Sequence, residues 1–187
     1  VADSDPDDLD EDLLQRLGRN EPQAARELVI RKLPRLLALA QRLLGRRGEA
    51  EEVTQEAFVR IWKQAPKWRR GEAHFDTWLH RVVLNLCYDR LRTGAARHEQ
   101  AVDEPPDHAD AAPTPEQHWG HAQRDQRVAS ALARLPARQR EAIVLQYYQE
   151  LSHADICKLM CISIDALESL LARARRNLRA ELMEAQP

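Results

Sequence analysis

Residues 75–92 read Phe75-Asp76-Thr77-Trp78-Leu79-His80-Arg81-Val82-Val83-Leu84-Asn85-Leu86-Cys87-Tyr88-Asp89-Arg90-Leu91-Arg92, and this stretch decides the fold class. Leu79, Val82, Val83 and Leu86 fall at i, i+3, i+4 and i+7, which is one apolar face of an α-helix. Phe75, Trp78, Arg81, Asn85, Arg90 and Arg92 are left for the rest of the surface. Aromatic rings can stack on unpaired bases while cations hold the phosphates. The same composition also suits a solvated helix whose aromatics belong to a core. The stretch alone leaves both readings open.

Elsewhere in the chain almost every periodic segment has a helical period, and no Asn-Gly or Asp-Gly sits between alternating runs as a β-hairpin would need. Upstream, residues 22–44 form a helical pattern with Leu28, Leu36, Leu37, Ala40 and Leu44 as apolar positions, and Pro34 inside it is expected to kink or divide it. Gly45 to Gly48 reads as a turn. A helix over 49–64 starts with Glu49, Glu51 and Glu52 and ends with Arg60 and Lys63, which matches the macrodipole. Pro66 stops it, and the basic loop Lys67-Trp68-Arg69-Arg70-Gly71 leads into the opening stretch, whose helix is expected to end at Gly94. Residues 1–8 read as a disordered acidic arm. Residues 95–115 hold Pro105, Pro106, Pro113 and Pro115 with almost no large apolar side chains, so they read as a flexible acidic linker. The expected fold is all-α, with two small helical domains at 9–94 and 116–187.

Formal net charge is −2, so no global charge argument for nucleic-acid binding holds; the distribution is what informs. Residues 1–12 carry seven acids and no base, and residues 99–116 carry six acids and no base. Residues 60–92 carry eight bases against three acids, and residues 170–180 carry four arginines and no acid. No stretch approaches the roughly 20 apolar residues of a membrane span, and the acidic start is unlike a signal peptide. Three cysteines (Cys87, Cys157, Cys161) do not make a disulfide framework, so a cytoplasmic protein is expected.

In the second half, Pro136 is expected at the first position of a helix running to about residue 150. Ser152-His153-Ala154-Asp155 has capping-box spacing with Asp in place of Glu, and opens a short helix over 154–160. Cys161-Ile162-Ser163 is a tight turn, and Ser163 can cap a longer helix with Leu167, Leu170, Leu171, Ala174, Leu178 and Leu182 on one face. This is helix-turn-helix spacing. In that geometry Asp165, Ala166, Glu168, Ser169 and Arg173 face base edges, while Arg175, Arg176 and Arg179 lie nearer phosphates. Arginine can read guanine bidentately and Glu168 can accept from cytosine. A plain helical hairpin with a solvated arginine face is the other reading.

Taken together, the two halves resemble the extracytoplasmic-function sigma factors of bacterial RNA polymerase, over roughly residues 10–94 and 116–184. Glu49-Ala50-Glu51-Glu52-Val53-Thr54-Gln55-Glu56-Ala57-Phe58-Val59-Arg60-Ile61-Trp62 resembles that family's clamp-binding helix. Residues 75–92 resemble its melting and minus-ten helix, and residues 135–176, including Ala166-Leu167-Glu168-Ser169-Leu170-Leu171, resemble its minus-thirty-five module. The resemblance implies that Glu52, Gln55, Glu56 and Arg60 dock on core RNA polymerase at its clamp helices, the second domain lying toward the flap. It implies that Lys67, Trp68, Arg69, Arg70, Phe75, Trp78, Arg81 and Asn85 hold the opened minus-ten element. Asp165, Ala166, Glu168, Ser169, Arg173, Arg175 and Arg176 then read the minus-thirty-five element. Unstacking costs a few kcal/mol per base and stacking returns about 1–3, so several bases must be held together, with the polymerase helping. The implied partners are core polymerase, promoter DNA and an anti-sigma factor, which the family allows to be membrane-bound. No small-molecule substrate is implied.

Many relatives carry glycine in the turn where this chain has Cys161, so either Cys161 avoids a left-handed conformation or the strain is tolerated. His153, Cys157 and Cys161 lie at i, i+4 and i+8, a stripe that a metal or redox sensor could use, though buried packing is the simpler account; His118 and His121 read likewise as packing and solvation. With six scattered glycines there is no phosphate-binding loop, and no Ser/His/Asp or Cys/His set emerges, so no cofactor, no metal and no catalysis are expected. The competing functions are a free-standing helix-turn-helix regulator, a sigma-like decoy that sequesters an anti-sigma factor, and a helical scaffold. A free regulator has no use for a base-stacking set, and a scaffold has none for the arginine helix.

Overall fold

Gly45 sets the first corner of the chain. Its φ of 76° is left-handed, a region that strains any residue with a Cβ, and its amide donates to the Gln41 carbonyl at 2.8 Å to close helix α2 (Pro22–Leu44). Helix α3 (Arg47–Gln64) begins two residues later, so Gly48 lies inside a helix rather than in the turn. These coordinates come from a computed structural model that describes residues 6–69, 74–100 and 119–184. Within them the remaining helices are α1 (Pro6–Gly18), α4 (Phe75–Gln100), α5 (Trp119–Arg134), α6 (Ala137–Tyr147), α7 (His153–Met160) and α8 (Ile164–Glu184). A single 3-10 turn, Ala65–Lys67, follows α3. No strand occurs among the described residues. Residues 1–5, Arg70, His118 and the linker from 101 to 115 lie outside the description.

Several expectations are corrected. Pro34 does not divide α2. The carbonyl that a proline at 34 leaves without a donor belongs to Ile30, which is 67% exposed, so water can satisfy it. Gly94 does not end α4, which runs on to Gln100. One glycine costs a helix about 1 kcal/mol against alanine, and Ala95, Ala96 and Arg97 behind it are good helix formers. The acidic start is helical from Pro6, because Leu13, Leu14 and Leu17 give α1 a buried face. Pro136 is the N-cap of α6 and not its first helical residue; its carbonyl accepts from Gln139 and Arg140.

α1 to α4 pack around Leu14, Leu28, Leu36, Leu39, Ile61, Phe75 and Leu79, all nearly inaccessible to solvent. Each such side chain contributes roughly 1.5–3 kcal/mol relative to exposure. An ionic tie crosses this layer. Lys32, buried on α2, bonds Asp10 of α1 and lies 2.5 Å from Asp76 of α4, while Arg31 reaches the same Asp10 at 3.1 Å. Gly18 is where α1 meets the 3-10 turn: a Cβ there would stand 3.0 Å from the Ala65 carbonyl oxygen. That close approach seats the Ala65–Lys67 turn against α1.

In the second half α6, α7 and α8 enclose Ile143, Leu145, Ile156, Leu167 and Leu171. Ser152 caps α7, accepting from the Asp155 amide at 3.2 Å, and Ser163 accepts from the Ala166 amide at 3.3 Å. Both caps were legible in the sequence. Cys161 does adopt the left-handed conformation (φ 53°, ψ 50°), and the Ile162 amide donates to the Cys157 carbonyl at 3.1 Å across it. Its side chain is exposed, so it adds little packing to offset the strain. Cys161→Gly is therefore expected to raise stability by about 0.5–1 kcal/mol, read from urea midpoints. An unchanged midpoint would mean that the turn carries no strain.

The two halves close on each other. A single hydrophobic cluster runs from Leu13 of α1 to Ala174 of α8, and α2 packs against α5 and α6 while α4 packs against α7.

Candidate polymerase and nucleic-acid interfaces

Three separate surfaces carry the residues singled out in the sequence. On α3, Ala50, Val53, Ala57 and Ile61 face the core, which turns Glu52, Gln55 and Glu56 outward with Arg60 half-buried beside them. Glu56 and Arg60 pair at 3.2 Å one turn apart, and Glu52 pairs with Arg90 of α4. Such exposed pairs add little stability, about 0–1 kcal/mol, so their charges can be redirected to a partner at small cost. Val59 and Trp62 share this face at 41% exposure each, giving it an apolar centre among charges.

The second surface surrounds an aromatic triad. Trp68 stands edge-on to Phe75 (5.6 Å between centroids) and to Trp78 (5.5 Å), and Phe75 and Trp78 stack at 6.0 Å. Phe75 is 1% exposed, with the Lys32 ammonium 5.8 Å from its ring centroid. It cannot touch DNA as it stands, which corrects its place among the contact residues: it is the floor on which Trp68 and Trp78 rest. Trp68 and Trp78 are half-buried, while Lys67, Arg69, Arg81 and Asn85 are exposed. Phe75 opens α4 as its first buried position, in register with Leu79, and that is why it points inward.

The third surface is the start of α8. Leu167, Leu171 and Ala174 anchor the helix inward, leaving Asp165, Glu168, Ser169, Arg173, Arg175 and Arg176 exposed and Ala166 half-buried. Asp165, Ala166, Ser169, Leu170 and Arg173 line one shallow open depression. A helix face with cations, carboxylates and a small hydroxyl can enter a groove about 12 Å wide.

His153, Cys157 and Cys161 do not form a common site. Cys161 lies past the end of α7, and His153 Nε2 accepts from the Gln146 side chain at 2.8 Å. Among the described residues no three His, Cys, Asp or Glu side chains converge as metal ligands, and no helix is long and apolar enough to cross a membrane.

A fourth set, which no local pattern announced, lies between the halves. Gln149, in the turn after α6, is 1% exposed and sits against Arg35 and His80 of the first half. Tyr88 of α4 donates its hydroxyl to Glu141 of α6, which Arg138 also approaches at 3.4 Å. Burial lifts the Glu141 carboxyl above its ordinary range, against the lowering pull of Tyr88 and Arg138, and burial likewise raises the Tyr88 phenol. The partners that meet across the halves stand 53 to 114 positions apart, beyond the reach of any local pattern.

Comparison with known proteins identifies both halves. Residues 28–97 match sigma-70 region 2, and residues 125–178 match sigma-70 region 4. The chain is 32% identical over 154 residues to the ECF RNA polymerase sigma factor SigE of Mycolicibacterium smegmatis, covering 82% of this chain and 59% of that protein's length. Among solved structures, CnrH in complex with the cytosolic domain of CnrY superimposes with a TM-score of 0.68 at 26% identity, over 95% of this chain and 99% of CnrH. The sigma factor RpoE in complex with the anti-sigma factor NepR from Bartonella quintana shares the fold (TM-score 0.64, 23% identity, 87% of this chain and 98% of that one). With both sigma-70 regions in order on its two helical halves, the chain belongs to the extracytoplasmic-function sigma factors, a family of transcription initiation factors and not of catalytic enzymes.

Proposed function

We propose that α3 docks this chain on the core polymerase clamp, that the Trp68–Trp78 platform with Lys67, Arg69, Arg81 and Asn85 holds melted minus-ten bases, and that the start of α8 reads the minus-thirty-five element. The observation that supports this most is the separation of labour among the exposed faces. Each set is held from behind by its own buried residues, so each can engage a different partner. The chain supplies recognition and the polymerase supplies the chemistry, with no cofactor of the chain's own, in the cytoplasm where polymerase works. The working units are a polymerase- and minus-ten-binding domain over 9–94 and a helix-turn-helix domain over 116–187. An anti-sigma factor is the regulatory partner, by analogy with the solved complexes of relatives, and a decoy or a free-standing regulator is the alternative.

Trp78→Ala tests the platform. Stacking on an aromatic ring is worth about 1–3 kcal/mol per base, so open complexes should fall about tenfold or more, read by permanganate reactivity of minus-ten thymines. Trp78→Phe should restore most of the loss, because the ring and not the indole nitrogen carries the contact. Undiminished melting by Trp78→Ala would remove the platform from the account.

A further inference from the structure

Two promoter elements read by one chain impose a length. Elements centred about 25 base pairs apart are separated by about 85 Å of B-form duplex at 3.4 Å per step. A closed globule of 187 residues has a radius of gyration near 16 Å by the general scaling. The closed form therefore cannot touch both elements, and whatever holds it closed opposes function.

What holds it is polar and specific. The Gln149 side-chain oxygen accepts from Arg35 Nε at 3.0 Å and faces His80 Nε2 at 3.2 Å, and the Gln149 backbone carbonyl accepts from Arg35 Nη2. His80 itself is 2% exposed and its Nδ1 donates to the Asp76 carbonyl at 2.6 Å. Beside this bolt, Arg42 of α2 lies 3.9 Å from the centroid of the Tyr148 ring, and Arg140 of α6 donates to the Leu43 carbonyl at 2.6 Å, near the end of α2. Next to His80 on α4, Arg81 donates to the Lys158 carbonyl at 3.0 Å, in the last turn of α7. A cation at a helix C-terminus is favoured by the macrodipole, so the helix-turn-helix offers Arg81 a real competitor for a phosphate. Arg81 is one of the exposed residues assigned above to the opened minus-ten strand.

We propose that this sigma factor latches itself shut without any partner protein, that Gln149 is the bolt, and that the closed state masks the minus-ten surface by engaging Arg81 with the end of α7. The inference rests on the promoter-reading assignment above for its consequence, but the latch is a statement about the isolated chain. Its reporter is built in. Cys87 lines the seam with Leu43, Tyr88, Ala137, Arg140 and Glu141, and burial pushes its thiol up to about 12, so in the closed form it stays protonated and shielded. Cys161 is exposed and serves as the internal reference.

The experiment compares the full wild-type chain with Gln149→Ala by small-angle scattering and by the alkylation rate of Cys87 relative to Cys161, followed by open-complex formation with core polymerase on a promoter duplex. Loss of the Gln149 side-chain contacts to Arg35 Nε and His80 Nε2, which exist only in the closed form and include a hydrogen bond to a charged group, should shift the closed-to-open ratio about tenfold. Cys87 should then react about tenfold faster, the radius of gyration should rise, and open complexes should form faster at limiting protein. Arg42→Ala, a substitution at the surface of the same seam, should act in the same direction more weakly and guards against a folding defect in the first variant. Variants that fold yet stay as compact and as protected at Cys87 as wild type overturn the latch. Opening without any gain in open-complex rate overturns the masking. Opening by Gln149→Ala while neither protein initiates with core upholds the latch and overturns the promoter-reading assignment instead.

Discussion

An Arg173→Ala, Arg176→Ala double variant is expected to lose about a hundredfold in promoter-directed initiation while still binding core polymerase. Arg173 lies two turns beyond Asp165 on the same face of α8, in the depression shared with Ala166, Ser169 and Leu170, and Arg176 follows one turn later. Both are exposed, and neither forms an ion pair among the described residues, so both guanidiniums are available to a ligand. A bidentate arginine–guanine contact discriminates by about 1–3 kcal/mol, or roughly 5- to 150-fold. A phosphate contact adds a salt-dependent term, so the double variant should also flatten the salt dependence of promoter binding by about one unit of slope. Leu167, Leu171 and Ala174 hold α8 from the other side, so the helix should stay folded. Abortive initiation rates across a salt series measure both effects, and a helical scaffold would show neither.

Asp10→Ala is expected to cost the first half about 3 kcal/mol. Asp10 is 1% exposed and meets both Lys32 and Arg31, and Lys32 is itself buried. Removing one member of such a set strands a buried charge, typically at 3–5 kcal/mol, although Asp76 remains 2.5 Å from Lys32 and tempers the loss. For a chain of this size that corresponds to a fall of about 6–12 °C in Tm. The double variant Asp10→Leu, Lys32→Met should recover most of it, because it removes both charges and refills the space. A Tm within 2 °C of wild type for Asp10→Ala would show that the tie adds little. The functional consequence is indirect but traceable: this tie sets α1 and α4 against α2, and α4 carries the aromatic platform.

What the sequence could show was local. Leu79, Val82, Val83 and Leu86 marked α4 by their spacing, and Ser152 and Ser163 marked the starts of α7 and α8 because a hydroxyl cap acts within one turn. The exposed sets on α3 and α8 were legible because a helix that buries one stripe must present the other. Phe75 was misplaced because period alone cannot tell an aromatic on the first buried position from one at the edge of the surface. Pro34 and Gly94 were overread as breaks; a proline whose orphaned carbonyl reaches water, and one glycine among good helix formers, each cost too little to end a helix with a buried face. The seam was invisible. Gln149, Glu141 and Tyr88 look like ordinary surface residues until α6 is laid against α2 and α4, and only that tertiary contact gives them buried partners.

The most direct measurement of the central claim is abortive transcription by purified core polymerase on a pool of promoter-like duplexes, with and without this chain. Initiation is expected from a definable subset only when the chain is present, with shared positions in two blocks spaced as minus-thirty-five and minus-ten elements. No initiation by a chain that binds core, or tight sequence-specific duplex binding without core, would contradict it.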